Sequence, residues 1–193
     1  KGITIDFSLP YRQMSFREAV LHYAKIDIEK HDTGSLITEA KKLSVELPKK
    51  PHKAKVLDEL FKTLVRPQLI QPTFIIDHPI ELSPLAKKHG DDERYVERFQ
   101  LLCGGTELCN AFSELNDPIE QEQRFRDQES QRAAGDDEAQ RSDTGFIEAL
   151  SYGMPPTAGI GIGIDRLTAI VTNQPNLKEV ILFPTLKPKH RPD

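Results

Sequence analysis

The stretch from Tyr95 to Leu115, YVERFQLLCGGTELCNAFSEL, decides the fold class. Two β-prone runs, Tyr95–Cys103 and Thr106–Leu115, flank the pair Gly104-Gly105, and paired glycines suit a tight primed turn. With those two residues as the turn, Cys103 faces Thr106 and Leu102 faces Glu107. Gln100 then lies one diagonal step from Glu107 on the same face, within ~7–8 Å. Side chains of that length can converge on one metal ion or one polyphosphate. Asn110, Phe112 and Glu114 share a face because strand side chains alternate with period two, and Glu107 falls on the opposite parity. A bulge near Leu108 or Cys109 would bring all four onto one surface. Spacing alone fits a solvated polar strand face equally well.

Outward from the hairpin, the chain reads as an antiparallel sheet with helices packed on it, an α+β fold. Downstream, Asp117-Pro118 opens a polar helix to about Ala134, with Asp as N-cap and Pro at the first helical position. Asp136–Glu138 reads as a solvated acidic turn. A short helix over Phe146–Tyr152, a glycine strand over Ala158–Ile164, a helix over Asp165–Val171 and a last strand over Val180–Phe183 complete that half. Upstream, Leu69–Ile76 is a strand that begins or bends at Pro72, and His78–Asp92 reads as loop. The segment 32–66 is rich in Lys, Glu and Leu and reads as two or three short amphipathic helices. Ser15 and Glu18 have capping-box spacing, and Gly2–Phe7 alternates like an opening strand.

The 193 residues carry 26 Lys and Arg against 30 Asp and Glu, a net charge of -4, so no broadly basic nucleic-acid surface is encoded. The longest apolar run, Ala158–Ile164, is far short of the ~20 residues a membrane-spanning helix needs. Two cysteines, Cys103 and Cys109, suit buried thiols in a reduced, cytoplasmic setting.

The segment Gly159-Ile160-Gly161-Ile162-Gly163-Ile164-Asp165-Arg166 has glycine at alternate positions, which leaves one strand face bare for a ligand or for close packing. It is neither a dinucleotide fingerprint nor a P-loop. Asp165 is placed to cap the following helix. Arg166, an always-charged donor, sits near that helix start, where an anion is favoured. The histidines lack metal spacing, and no serine sits in a nucleophile elbow.

Six strings, LIQPTFI at 69–75, LSPLAKKH at 82–89, ELCNAFSELNDP at 107–118, AAGDDEA at 133–139, YGMPPTAGIGIGIDRL at 152–167 and VILFPTLKP at 180–188, resemble bacterial-type class II lysyl-tRNA synthetases. The Gly-x-Gly-x-Gly-x-Asp-Arg string is similar to their third signature motif. The resemblance implies an antiparallel sheet that holds ATP, magnesium and lysine, forms lysyl-adenylate and passes lysine to tRNA(Lys). It implies that Glu107 helps hold magnesium-ATP and that Asn110, Phe112 and Glu114 line the lysine pocket. It further implies that Gly161 and Gly163 form the floor beside Ile164 and Asp165, and that Arg166 clamps the triphosphate. Glu114 would pair the substrate ε-ammonium.

Two departures stand out. Gln100 replaces the second metal carboxylate that the family carries, which weakens or rearranges the metal site. Motifs 1 and 2 and the anticodon-binding domain have no counterpart here. The expectation is therefore a C-terminal portion of a catalytic domain over residues 1–193, with residues 32–66 as a helical insertion, inactive alone and dimeric as a full-length enzyme. Two further readings stay open: a catalytically impaired binding module, favoured by Gln100, and a lysine ligase acting on a protein, as the elongation factor P ligases do.

Overall fold

A computed structural model describes residues 2–133, 135, 139 and 141–185. Five strands form one sheet in the order β1 (Arg12–Ser15), β2 (Thr73–Pro79), β3 (Tyr95–Cys103), β4 (Thr106–Ser113) and β5 (Ala158–Ile162). The last four pair antiparallel, but β1 runs parallel to β2, so the sheet is mixed where a wholly antiparallel one was expected. The parallel pair is possible because the helical segment between β1 and β2 supplies the long crossover that such strands need. With six α-helices among the described residues, the architecture is α+β.

Local chemistry sets the element ends. Ser15 and Glu18 close the capping box at the start of α1 (Phe16–Ala24): Glu18 N–H donates to Ser15 Oγ at 3.1 Å and Ser15 N–H donates to Glu18 Oε2 at 2.8 Å. Asp32 caps α2 (Thr33–Lys42), while α3 (Lys53–Leu60) runs on through a π turn at Phe61–Val65 and a 3-10 turn at Arg66–Gln68. Asp117 Oδ1 accepts from the amides of Ile119 and Glu120 at 2.8 and 3.2 Å, starting α4 (Pro118–Ala133). Asp143 starts α5 (Thr144–Ser151), two residues before the expected Phe146. α6 spans Ile164–Val171.

Four expectations change. Gly2–Phe7 is not a strand: Asp6 N–H donates to Gln71 Oε1 and Gln71 Nε2 donates to Thr4 O, so side-chain bonds replace a ladder. Val180–Phe183 is irregular, with Leu182 and Phe183 exposed, because no neighbouring strand receives its amides among the described residues. The strand read from Leu69 begins only at Thr73 and extends past Ile76 to Pro79, through a bulge at which Asp77 takes a φ of 50°. β5 ends at Ile162, two residues early. The acidic turn Asp136–Glu138 and the run after Thr185 lie outside the described residues.

One core joins the helices to the sheet. Leu36, Val56, Leu57, Leu60 and Val65 from the 32–66 segment pack with Phe16 and Val20 of α1 and with Ile75 and Leu102 of the sheet. Phe16 stacks on Phe61 at 4.9 Å. Ile75 faces Gln100 and Thr73 faces Leu102, so this core covers the face of β2 and β3 that bears Gln100 and Leu102. The same face continues across β4 and β5 beyond the helices. No helix among the described residues is long and apolar enough to cross a membrane.

Candidate active site

The hairpin turn has the predicted geometry: Gly104 and Gly105 have φ of 59° and 73°, the left-handed pair a primed turn requires. Cys103 pairs with Thr106 and Leu102 with Glu107, after which the register slips and Leu101 pairs with Cys109. Leu108 is therefore the extra residue of a bulge. Past it Gln100 faces Asn110 and Arg98 faces Phe112. The bulge thus puts Glu107, Asn110, Phe112 and Glu114 on one face with Arg98 and Gln100.

β5 completes the surface. Gly161 lies opposite Asn110 and Gly159 opposite Phe112, so the bare glycine face abuts these side chains. A Cβ at Gly159 would sit 2.7 Å from Glu114 Oε1: the glycine makes room for that carboxylate as well as for a ligand. Burial pushes the Glu114 carboxyl above its ordinary value, and no cation pairs with it among the described residues. The open cleft has a volume of about 690 Å³, and Glu107, Asn110, Phe112, Gly161, Gly163 and Arg166 are among its lining residues.

Arg166 lies on the first turn of α6 and its Nη1 donates to Glu107 O at 3.1 Å, with Glu107 Oε1 at 3.9 Å. It is half exposed and free to turn toward an anion in the cleft. Asp165 also lines the cleft, but it does not cap α6: Gly163 holds the N-cap position and no side chain bonds there. The helix begins one residue earlier than expected, at Ile164, which leaves Asp165 too far inside to cap. Ile164 is exposed and lies outside the cleft lining.

Gln100 sits one strand deeper, where its Nε2 donates to Glu107 Oε2. Both line a second cavity of about 120 Å³ behind the cleft, walled by Asp58, Phe61, Lys62 and Arg66 of the helical segment. Asp58 is already paired with Lys62 at 2.6 Å. No group of three or more His, Cys, Asp or Glu able to hold a metal occurs among the described residues. One carboxylate and one amide do not make a resident magnesium site, but they suit magnesium that arrives on a polyphosphate, whose oxygens supply the remaining ligands.

Two residues at this face went unnoticed in the sequence. Arg98 donates from Nε to Asn110 Oδ1 at 3.0 Å; only its parity with Gln100 pointed to the face. His78 is buried under Phe16, ring centroids 5.4 Å apart, with Nε2 3.2 Å from Ile75 O. The bulge at Asp77 turns it inward, and no spacing signal marks that bulge.

Comparison with known proteins fits this geometry. The chain is 48% identical over 190 residues to the lysine–tRNA ligase of Roseiflexus sp. (strain RS-1), a match that covers 98% of this chain and 39% of that protein. It is 50% identical over 185 residues to the lysine–tRNA ligase of Methanospirillum hungatei JF-1, covering 95% and 37%. With the Thermosipho africanus (strain TCF52B) lysine–tRNA ligase the figures are 46% over 188 residues, 97% and 37%. The chain thus spans about two fifths of the length of these relatives. The family described as tRNA synthetases class II (D, K and N) matches residues 1–187. The chain belongs to that family of class II tRNA synthetases.

Proposed function

We propose that the protein of which this chain is a part is a lysine–tRNA ligase. It activates lysine with ATP to lysyl-adenylate, releases pyrophosphate and transfers the lysyl group to tRNA(Lys). The observation that carries this reading is the convergence of Glu107, Asn110 and Phe112 on one open cleft beside a side-chain-free glycine strand and Arg166, with the Glu114 carboxylate outside the cleft lining but against Gly159 of that strand. A flat, bare strand admits an extended ligand, and charges of both signs stand along its edge.

Glu114 pairs the ε-ammonium of lysine, which offsets the desolvation that raises its carboxyl. Phe112 walls the aliphatic stem. Glu107, with Gln100 beside it, would hold magnesium that enters on ATP, and the ion would supply neutralisation of phosphate charge. Arg166 draws the triphosphate to the start of α6. The lysine carboxylate oxygen then attacks the α-phosphorus and pyrophosphate leaves. The ribose hydroxyl of the tRNA attacks the acyl carbon and AMP leaves. These steps need positioning and charge stabilisation more than covalent help from the protein. The tRNA partner is supported by the names of the relatives. A cytoplasmic homodimer is the family expectation.

In the full-length protein, Glu114→Gln raises the KM for lysine in ATP–pyrophosphate exchange by about 10- to 100-fold, the loss of one charge-assisted pair, and leaves the KM for ATP unchanged. An unaltered KM for lysine would contradict the assignment.

A further inference from the structure

Arg98 is a cation inside the sheet face with no carboxylate bonded to it among the described residues. Its Nε donates to Asn110 Oδ1 at 3.0 Å, and its Nη1 donates to Leu82 O at 3.0 Å and Ser83 Oγ at 2.9 Å. Burial pushes the guanidinium below its ordinary value, while nearby Glu107 and Asp58 favour the charged form. A partly buried charge of this kind costs stability unless its donors are well used. Here three acceptors use them, one on the β4 strand of the cleft and two on the loop after β2.

The consequence falls on Asn110. A side-chain amide can take two orientations, with oxygen and nitrogen exchanged. A guanidinium carries donors only, so only the orientation that turns Oδ1 to Arg98 is satisfied. That leaves the Asn110 NH2 group without a protein acceptor among the described residues, on a residue that lines the cleft. We propose that Arg98 is a positioning residue: it locks the Asn110 amide so that the cleft is offered a donor, selecting an acceptor oxygen on the ligand in place of an ammonium. This role rests on the lysine-activating reading above and deepens it. Phe112, directly opposite Arg98, lines the cleft with Asn110, so the lock lies within one residue pair of the surface offered to the substrate.

The test is a double-mutant cycle in the full-length protein, read by lysine-dependent ATP–pyrophosphate exchange and by melting temperature. Arg98→Lys keeps the charge but cannot hold Asn110, Leu82 and Ser83 with a planar fork. Arg98→Lys and Arg98→Gln should each raise the KM for lysine by about tenfold and leave the KM for ATP in place. In an Asn110→Ala background the same substitutions should add nothing, because the lock has nothing left to hold. If the Arg98 and Asn110 effects multiply, or if Arg98→Lys leaves the KM for lysine unchanged, Arg98 supports the fold alone and the proposal fails. Should Arg98→Gln not fold, Arg98→Lys carries the cycle. An unmodified full-length protein without lysine-dependent exchange overturns the functional reading, and the Arg98 role with it, whereas exchange with multiplying effects overturns only the latter.

Discussion

Gln100 and Glu107 meet side by side at the cavity behind the cleft, and the amide of one donates to the carboxylate of the other. A glutamate at position 100 would set two carboxylates in contact, which repel until a cation lies between them. Gln100 removes that repulsion and, in the proposed site, one ligand charge, so magnesium there would depend more on the phosphates it arrives with. Gln100→Glu should lower the magnesium concentration for half-maximal exchange by about tenfold, the ratio that ~1.4 kcal/mol of added attraction gives. An unchanged magnesium requirement would mean that position 100 does not reach the metal. At this scale the sequence was legible where one residue type has one use: the turn glycines, the Ser15 and Asp117 caps and the Glu107–Gln100 adjacency all follow from local rules. Arg98 and His78 were hidden because an isolated Arg or His carries no periodic signal. Their roles depend on what the fold lays beside them.

The bulge at Leu108 is the device on which the β4 strand depends. Without it, Glu107 would face one side of the sheet and Asn110, Phe112 and Glu114 the other, because each one-residue slip turns every following side chain over. Inserting one residue between Leu101 and Leu102 should give Leu108 a partner, restore a regular ladder and turn those three residues away from Glu107. Lysine-dependent exchange then falls below detection in the full-length protein, while circular dichroism retains the sheet. Retained exchange in the insertion variant would contradict the register argument. Parity alone exposed the need for this bulge, since three of the four candidate positions, Asn110, Phe112 and Glu114, agreed and Glu107 did not. The missed elements failed for the opposite reason. Gly2–Phe7 and Val180–Phe183 have strand-like composition, but β propensity produces a strand only where a neighbouring edge receives its hydrogen bonds. Neither has one among the described residues.

Across the whole molecule, helices cover one half of a sheet face and leave the other half as the cleft. His78 belongs to the covered half, fully buried, and desolvation with nearby Arg98 holds its pKa well below the usual value. A His that is neutral when folded binds a proton more readily when unfolded, so its contribution is fully present above about pH 6.5 and is lost as pH falls toward the folded value. The stability of the domain should therefore drop by up to about 1.4 kcal/mol per pH unit below pH 6.5, and His78→Phe should remove that slope. A slope that persists in His78→Phe would assign it to other groups. The 32–66 helices share this core, so the segment read from composition as an inserted module is packed into the sheet rather than set apart from it. The most direct measurement is tRNA charging by the full-length protein with magnesium-ATP, tRNA(Lys) and each of the twenty amino acids in turn. The account predicts charging with lysine and loss of that charging in Glu114→Gln at low lysine; charging with another amino acid, or with none, would contradict it.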